Sequence, residues 1–259
     1  MTAWLDLSGQ GLTSLPDVPL SGVVHADLDR NAFAEVPSRL LSAPLEYLSL
    51  YDNGLTSVPE ALWSLSGLRV LNLADNRLTS ISPSIGLLKH LHTLDLGHNE
   101  LSSLPDELGE LSGLTEYLYL SDNRLTEFPP SLCSLGRLKY LGCTDNRIST
   151  LPDDLSGFSS LRELRLYNNG LTALPESLGT LSSLRELHLR GNRLTSLPSS
   201  IGELSDLRQL DLRENQLTSL PASLAGLSKL DKLDLRWNRD FREPGWLADF
   251  EARGCMVLR

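Results

Sequence analysis

The chain holds 259 residues, 62 of them leucine, and carries 23 Lys and Arg against 33 Asp and Glu for a net charge of −10. That balance excludes a nucleic-acid binder, because neutralising phosphates needs a basic surface. Aromatic residues make up only 6%, so leucine must fill the core. Cys133, Cys143 and Cys255 are too few and too widely spaced for a disulfide framework, and suit a reducing compartment.

Residues 1–12, MTAWLDLSGQGL, lack the basic start and long apolar run of a secretory signal: Asp6 interrupts the apolar residues and the first basic residue is Arg30. No stretch approaches the roughly 18 continuous apolar residues of a membrane span. The expectation is a cytoplasmic protein, with export by a route that reads no cleavable signal left open.

An internal period governs the rest. Asparagine recurs at Asn31, Asn53, Asn76, Asn99, Asn123, Asn146, Asn169, Asn192, Asn215 and Asn238, and Gln10 takes the equivalent place one unit earlier. The gaps are 23 residues, except for 22 before Asn53 and 24 before Asn123. The common pattern of the eleven units is L-x-x-L-x-L-x-x-N-x-L-T-x-L-P, shown without blemish by Leu184 to Pro198, LRELHLRGNRLTSLP. In these residues the chain resembles the leucine-rich repeat family, in its 23-residue Leu-Pro type. That type is found in bacterial repeat proteins and in plant intracellular Ras-group-related proteins. The resemblance covers residues 2–238. It implies an α/β fold: a right-handed solenoid in the form of a horseshoe or arc, with a parallel β-sheet on the concave face.

The same architecture follows from the residues. In L-x-L the side-chain period is 2, so Leu187 and Leu189 point one way while Glu186 and His188 point the other. One such strand cannot bury its leucines alone; stacking in parallel makes a continuous core, each buried leucine contributing about 1.5–3 kcal/mol. Pro175, Pro198 and Pro221 follow the asparagine by six residues and suit an extended or turn segment. The Pro-x-x-Leu-x-x-Leu stretch beyond them predicts a short helical turn on the convex side. The asparagine column is scaffold, since an amide offers a donor and an acceptor to buried turns that lack ladder partners.

After Asn238 the leucine period stops. Pro244, Trp246, Leu247 and Phe250 predict a short amphipathic helix, and Met256, Val257 and Leu258 a last extended segment. Residues 1–238 therefore read as a solenoid of about eleven repeats and 239–259 as a capping segment of the same domain. No comparable lid precedes residue 2, so Trp4, Leu5 and Leu7 are expected to close that end.

Chemistry-bearing patterns are weak. His92 and His98 fall at opposite ends of one strand, too far apart for a shared metal. The pairs Asp52 with Asp75 and Asp122 with Asp145 occupy one column, where Asp is also a common turn residue. Cys143 replaces a core leucine and should be buried and inert. With no phosphate loop or nucleophile motif present, the reading is a protein that is not an enzyme and takes no metal or cofactor.

The exposed strand positions are more informative. All six tyrosines fall there: Tyr47, Tyr51, Tyr117, Tyr119, Tyr140 and Tyr167. Such rings offer large, rigid contact area with a polar tip, although tyrosine also favours strands for its own sake. The first half of this face carries Asp6, Asp27, Asp29, Asp52, Asp75 and Asp95; the last four repeats carry many arginines intermixed with Glu163, Glu186 and Glu214. Exposed ion pairs between repeats would explain those arginines equally well. The extra residue before Asn123, in LTEYLYL, predicts a strand bulge that re-aims Glu116, Tyr117 or Tyr119.

The resulting expectation is a protein–protein interaction module that binds another protein on its concave face. The contact residues would be Tyr47, Tyr51, Tyr117, Tyr119, Tyr140 and Tyr167, with Arg165, His188, Arg190, Arg213, Arg236 and Trp237. No nucleic acid and no membrane is expected as a partner. Weak self-association, or service as the recognition subunit of a catalytic assembly on another chain, are the alternatives.

Overall fold

The computed structural model describes residues 3–259 and resolves them into two compact units, one running to Arg124 and the other Leu125–Arg259. The first unit holds strands β1 (Ala3–Asp6), β2 (Val23–Asp27), β3 (Tyr47–Ser49), β4 (Val70–Asn72), β5 (Thr93–Asp95) and β6 (Tyr117–Tyr119). They pair in parallel and in chain order. The second holds β7 (Tyr140–Gly142), β8 (Glu163–Arg165), β9 (Glu186–His188), β10 (Gln209–Asp211), β11 (Lys232–Asp234) and β12 (Met256–Leu258), paired in the same way.

Each repeat strand is little more than x-Leu-x. The central leucines, such as Leu48, Leu71, Leu94, Leu187 and Leu210, are buried, as are those two residues on, such as Leu50, Leu73, Leu96, Leu189 and Leu212. The flanking residues consequently stand on the other, solvent-facing side of the sheet.

Behind the sheet lie short 3₁₀ turns of five residues, for example Glu176–Thr180, preceded by Pro175 in extended geometry (φ −73°, ψ 152°). The Leu178 N–H donates to the Pro175 carbonyl (3.0 Å), Leu181 to Leu178 (3.2 Å) and Leu184 to Leu181 (2.9 Å). A three-residue period eclipses side chains at i and i+3, so every leucine of Pro-x-x-Leu-x-x-Leu faces the core. Proline suits the position because its fixed φ starts the turn and its carbonyl, not an N–H, is what the turn uses.

The asparagines form the expected ladder. Asn76 Nδ2 donates to the carbonyls of Leu50 (2.9 Å), Leu73 (3.1 Å) and Ala74 (3.1 Å), while its Oδ1 accepts from Leu55 N–H (3.0 Å). One amide thereby joins its own turn to the preceding repeat. The residue just before the asparagine is left-handed throughout: Asp52, Asp75, Asp122 and Asp145 have φ of 53°, 55°, 54° and 52°. Aspartate tolerates that region better than most residues, which suits it to these four positions; Arg30, His98, Glu214 and Trp237 adopt the same conformation elsewhere in the column.

At the C-terminal end, helix α1 (Leu247–Ala252) buries Leu247 and Phe250, and β12 extends the ladder with Lys232 opposite Met256 and Asp234 opposite Leu258. Two sequence expectations are corrected. Trp4 does not plug the core: it is 60% exposed and stacks on His25 at 5.0 Å, because strand alternation turns Leu5 and Leu7 inward and Trp4 outward. Nor does β6 carry a bulge. Tyr117, Leu118 and Tyr119 pair with Thr93, Leu94 and Asp95 without a register shift, and Glu116 N–H already donates to the His92 carbonyl (3.0 Å). The extra residue is absorbed between Leu114 and Glu116, where no ladder constrains the chain.

Candidate functional site

In the first unit, register aligns the outward residues into columns. One runs Trp4, His25, Tyr47, Val70, Thr93, Tyr117, and the next Asp6, Asp27, Ser49, Asn72, Asp95, Tyr119. The first column begins with a stack: His25 lies 5.0 Å from Trp4 with planes 6° apart, and 5.9 Å from Tyr47 at 27°. At its other end Tyr117, 43% exposed, stacks on Tyr119 at 5.7 Å. Tyr51 stands one step further along its repeat, with the Arg30 guanidinium 6.0 Å from its ring centre.

The carboxylates beside this stack are held by their own turns. Asp6 Oδ1 accepts from Ser8 N–H (3.0 Å) and its hydroxyl (2.8 Å), and Asp27 Oδ1 accepts from Asp29 N–H (3.0 Å). Asp29 accepts from the Ser49 hydroxyl and from Tyr51 N–H (2.9 Å). Burial nevertheless holds the Asp29 carboxyl above the usual carboxylate range, outweighing those hydrogen bonds. Desolvation raises Asp95 likewise.

The second unit is built differently. Arg165 lies over the Tyr140 ring at 5.5 Å and donates from Nε to Glu163. Arg190 donates through Nε to Glu214 (2.9 Å). Arg213 reaches Asp211 through Nε (2.9 Å) and Nη2, and lies 3.4 Å from Asp234. Arg236 donates to both oxygens of Asp234 (2.9 and 2.7 Å) while lying 5.3 Å from the Trp237 ring centre. Burial would raise Asp211, but its bonds to Arg213 prevail and hold it below the usual range. All four arginines singled out from the sequence are thus engaged with acids of the same face. A shallow depression among them is lined by Arg165, Tyr167, His188, Arg190, Asp211 and Arg213.

His188 Nε2 lies 3.1 Å from Glu186 and 3.9 Å from Glu163. Ligand atoms of these three residues fall within 4.8 Å of one another, the spacing a divalent cation would need. Arg165, however, already occupies the same Glu163 oxygen, so an incoming cation would have to displace a guanidinium. The geometry favours a closed hydrogen-bonded cluster.

The cysteines are unreactive by placement: burial pushes the Cys143 thiol up to about 12 and the Cys133 thiol up to about 11. The sequence reading overlooked Trp4 and His25 as outward aromatics. The signal was available, since both occupy the strand position of Tyr47. It also gave little weight to Glu163 and Glu186, which only register brings to His188.

The fold so described is a parallel repeat solenoid with an outward strand face. Leucine-rich repeat families match across the sequence: "Leucine Rich repeats (2 copies)" over residues 45–82, "Leucine-rich repeat region" over 84–190 and "Leucine rich repeat" over 182–239. The chain belongs to the leucine-rich repeat family, whose members serve as protein-interaction modules. No curated protein matches it. Among solved structures it is similar to a Leptospira interrogans leucine-rich repeat protein, at 25% identity and a TM-score of 0.65, covering 98% of this chain and 94% of that one. It is similar to the PEPR1–AtPEP1 crystal structure at 36% identity and TM-score 0.75, covering 83% of this chain but only 32% of that one. A plant peptide hormone receptor, RGFR1 in complex with RGF2, is 25% identical with TM-score 0.69, covering 86% and 42%. The chain therefore spans about a third to under half of those two chains. Among the described residues no helix is long and apolar enough to cross a membrane.

Proposed function

We propose that the outward strand faces bind another protein, with aromatic side chains supplying contact area and the charged residues orienting the partner. The carrying observation is the aromatic content of that face: Trp4, Tyr117 and Trp237 stand well exposed on strand or turn positions, and Tyr47, Tyr51, Tyr119, Tyr140 and Tyr167 occupy the same face. Backbone hydrogen bonding holds these positions rigid, so presenting the rings to a partner costs little further order. In the second unit Arg165, His188, Arg190, Arg213 and Arg236 are already fixed by carboxylates. They would offer preorganised donors rather than surplus positive charge, which favours specificity and orientation over bulk attraction. The complex of the plant peptide hormone receptor RGFR1 with RGF2 fits this use of the fold. Three free thiols suit a cytoplasmic location.

The test is capture of partners from lysate with the intact chain, followed by affinity measurement on the purified partner. Tyr119→Ala and Tyr140→Ala should each weaken binding more than about fivefold, equivalent to ~1 kcal/mol, with unchanged circular dichroism. Full affinity in both variants rejects the tyrosines as the contact. Capture of only the chain itself, with mass growing in light scattering, would replace this reading by self-association.

A further inference from the structure

The two units solve the same electrostatic problem in opposite ways. In the second, arginines stand two residues after the strand acids, and Arg213 and Arg236 each close a two-pronged pair on Asp211 and Asp234. In the first unit the corresponding positions hold Ser8, Asp29, Tyr51, Ala74 and Gly97. Among the described residues, no Lys or Arg lies within ion-pair distance of Asp6, Asp27 or Asp29, and Arg30 is turned over the Tyr51 ring. These acids border the Trp4–His25–Tyr47 stack, whose first member is largely exposed.

We infer that this part of the first unit binds an arginine side chain of the partner, in an extended segment laid across β1 to β3. The inference rests on the proposed protein-binding role and names the chemistry of the partner. A guanidinium is planar, stacks on aromatic faces and donates to a carboxylate through a two-pronged fork, and thus uses both columns at once. Lysine can satisfy the carboxylates and approach a ring as a point charge, but it has no planar group to stack on one. The chain supplies its own precedent in Arg165, which bonds Glu163 while lying over Tyr140. Asp29 adds a reason: it is partly desolvated, the charge of Arg30 acts on it without an ion-pair contact, and an incoming cation would relieve the remaining cost.

The test uses fluorescein-labelled twelve-residue Gly/Ser peptides carrying three alternate Arg, Lys or Glu residues, with binding followed by anisotropy on the full chain. The arginine peptide should bind at least fivefold tighter than the lysine peptide and weaken as salt rises, while the glutamate peptide should not bind. Asp27→Asn with Asp29→Asn should weaken the arginine peptide at least tenfold and Trp4→Ala at least threefold. Asn keeps the oxygens that hold the turns, so circular dichroism should stay unchanged. Asp106→Asn with Glu107→Gln, an equal charge removal on a 3₁₀ turn, should change nothing. Equal loss in that control, equal binding of the lysine peptide, or no preference over glutamate would overturn the assignment. Any of these results leaves partner capture and the tyrosine substitutions standing as a separate measurement.

Discussion

The asparagine ladder makes a quantitative claim about Asn76 and Asn99. In Asn99→Ala the Leu78 N–H loses its acceptor at 2.9 Å, but the three carbonyls served by Asn99 Nδ2 do not go bare. Leu73 keeps Asn76, Leu96 keeps Asn123, and Gly97 keeps the Asp75 N–H. By the same accounting Asn76→Ala strands only Leu55 N–H, because Leu50 keeps Asn53, Leu73 keeps Asn99 and Ala74 keeps the Asp52 N–H. Each single substitution should therefore cost about 1–3 kcal/mol for one orphaned buried donor, with a similar small-cavity term in both. The double variant additionally strips the buried Leu73 carbonyl of both its donors. Its destabilisation should exceed the sum of the singles by about 1–3 kcal/mol. Urea unfolding of all four proteins closes the cycle. Additivity to within about 0.5 kcal/mol would refute the idea that each carbonyl is insured by two neighbouring amides.

Trp237 sits in the left-handed region at φ 63° although it is neither Gly, Asn nor Asp. Relief of that strain, about 1–2 kcal/mol, should outweigh the exposed stacking of Arg236, worth about 0.5–1 kcal/mol. Trp237→Asn should thus raise stability in thermal unfolding, and a lowered midpoint would count against the strain. Asp211 has a folded pKa below its ordinary 3.8 through its bonds to Arg213. Its stabilising contribution is fully present above that unfolded value and is lost as pH falls through the folded one. Asp211→Asn should therefore destabilise clearly at pH 7, with the difference from the parent shrinking below pH 4; a gap independent of pH would mean that charge plays no part.

Much of the architecture was legible because it depends on period alone. The 23-residue spacing, the inward Leu187 and Leu189, the turn after Pro175 and the role of the asparagines all follow from local geometry repeated many times. So did the helix near Leu247 and Phe250, from its break in the period. The candidate site was legible only in part. That tyrosines face outward follows from alternation, and the same alternation places Trp4 outward, so the open end of the core is left to Leu5 and Leu7. The bulge expected at Tyr117 failed because the ladder holds a strand in register and expels an extra residue to the nearest unconstrained bond, before Glu116.

What the amino-acid order determined by itself was which atoms are buried, since a leucine at nearly every inward position leaves one way to hide them from water. What only the folded molecule decided was which charges are already matched. Arg213 reaching Asp234 on the next strand as well as its own Asp211, and Asp27 and Asp29 lacking an ion-pair contact, are facts of register and rotamer. Pairing across neighbouring strands joins residues some 23 positions apart, and two or three ångströms of side-chain placement settle whether an acid is already satisfied or stands open to a partner.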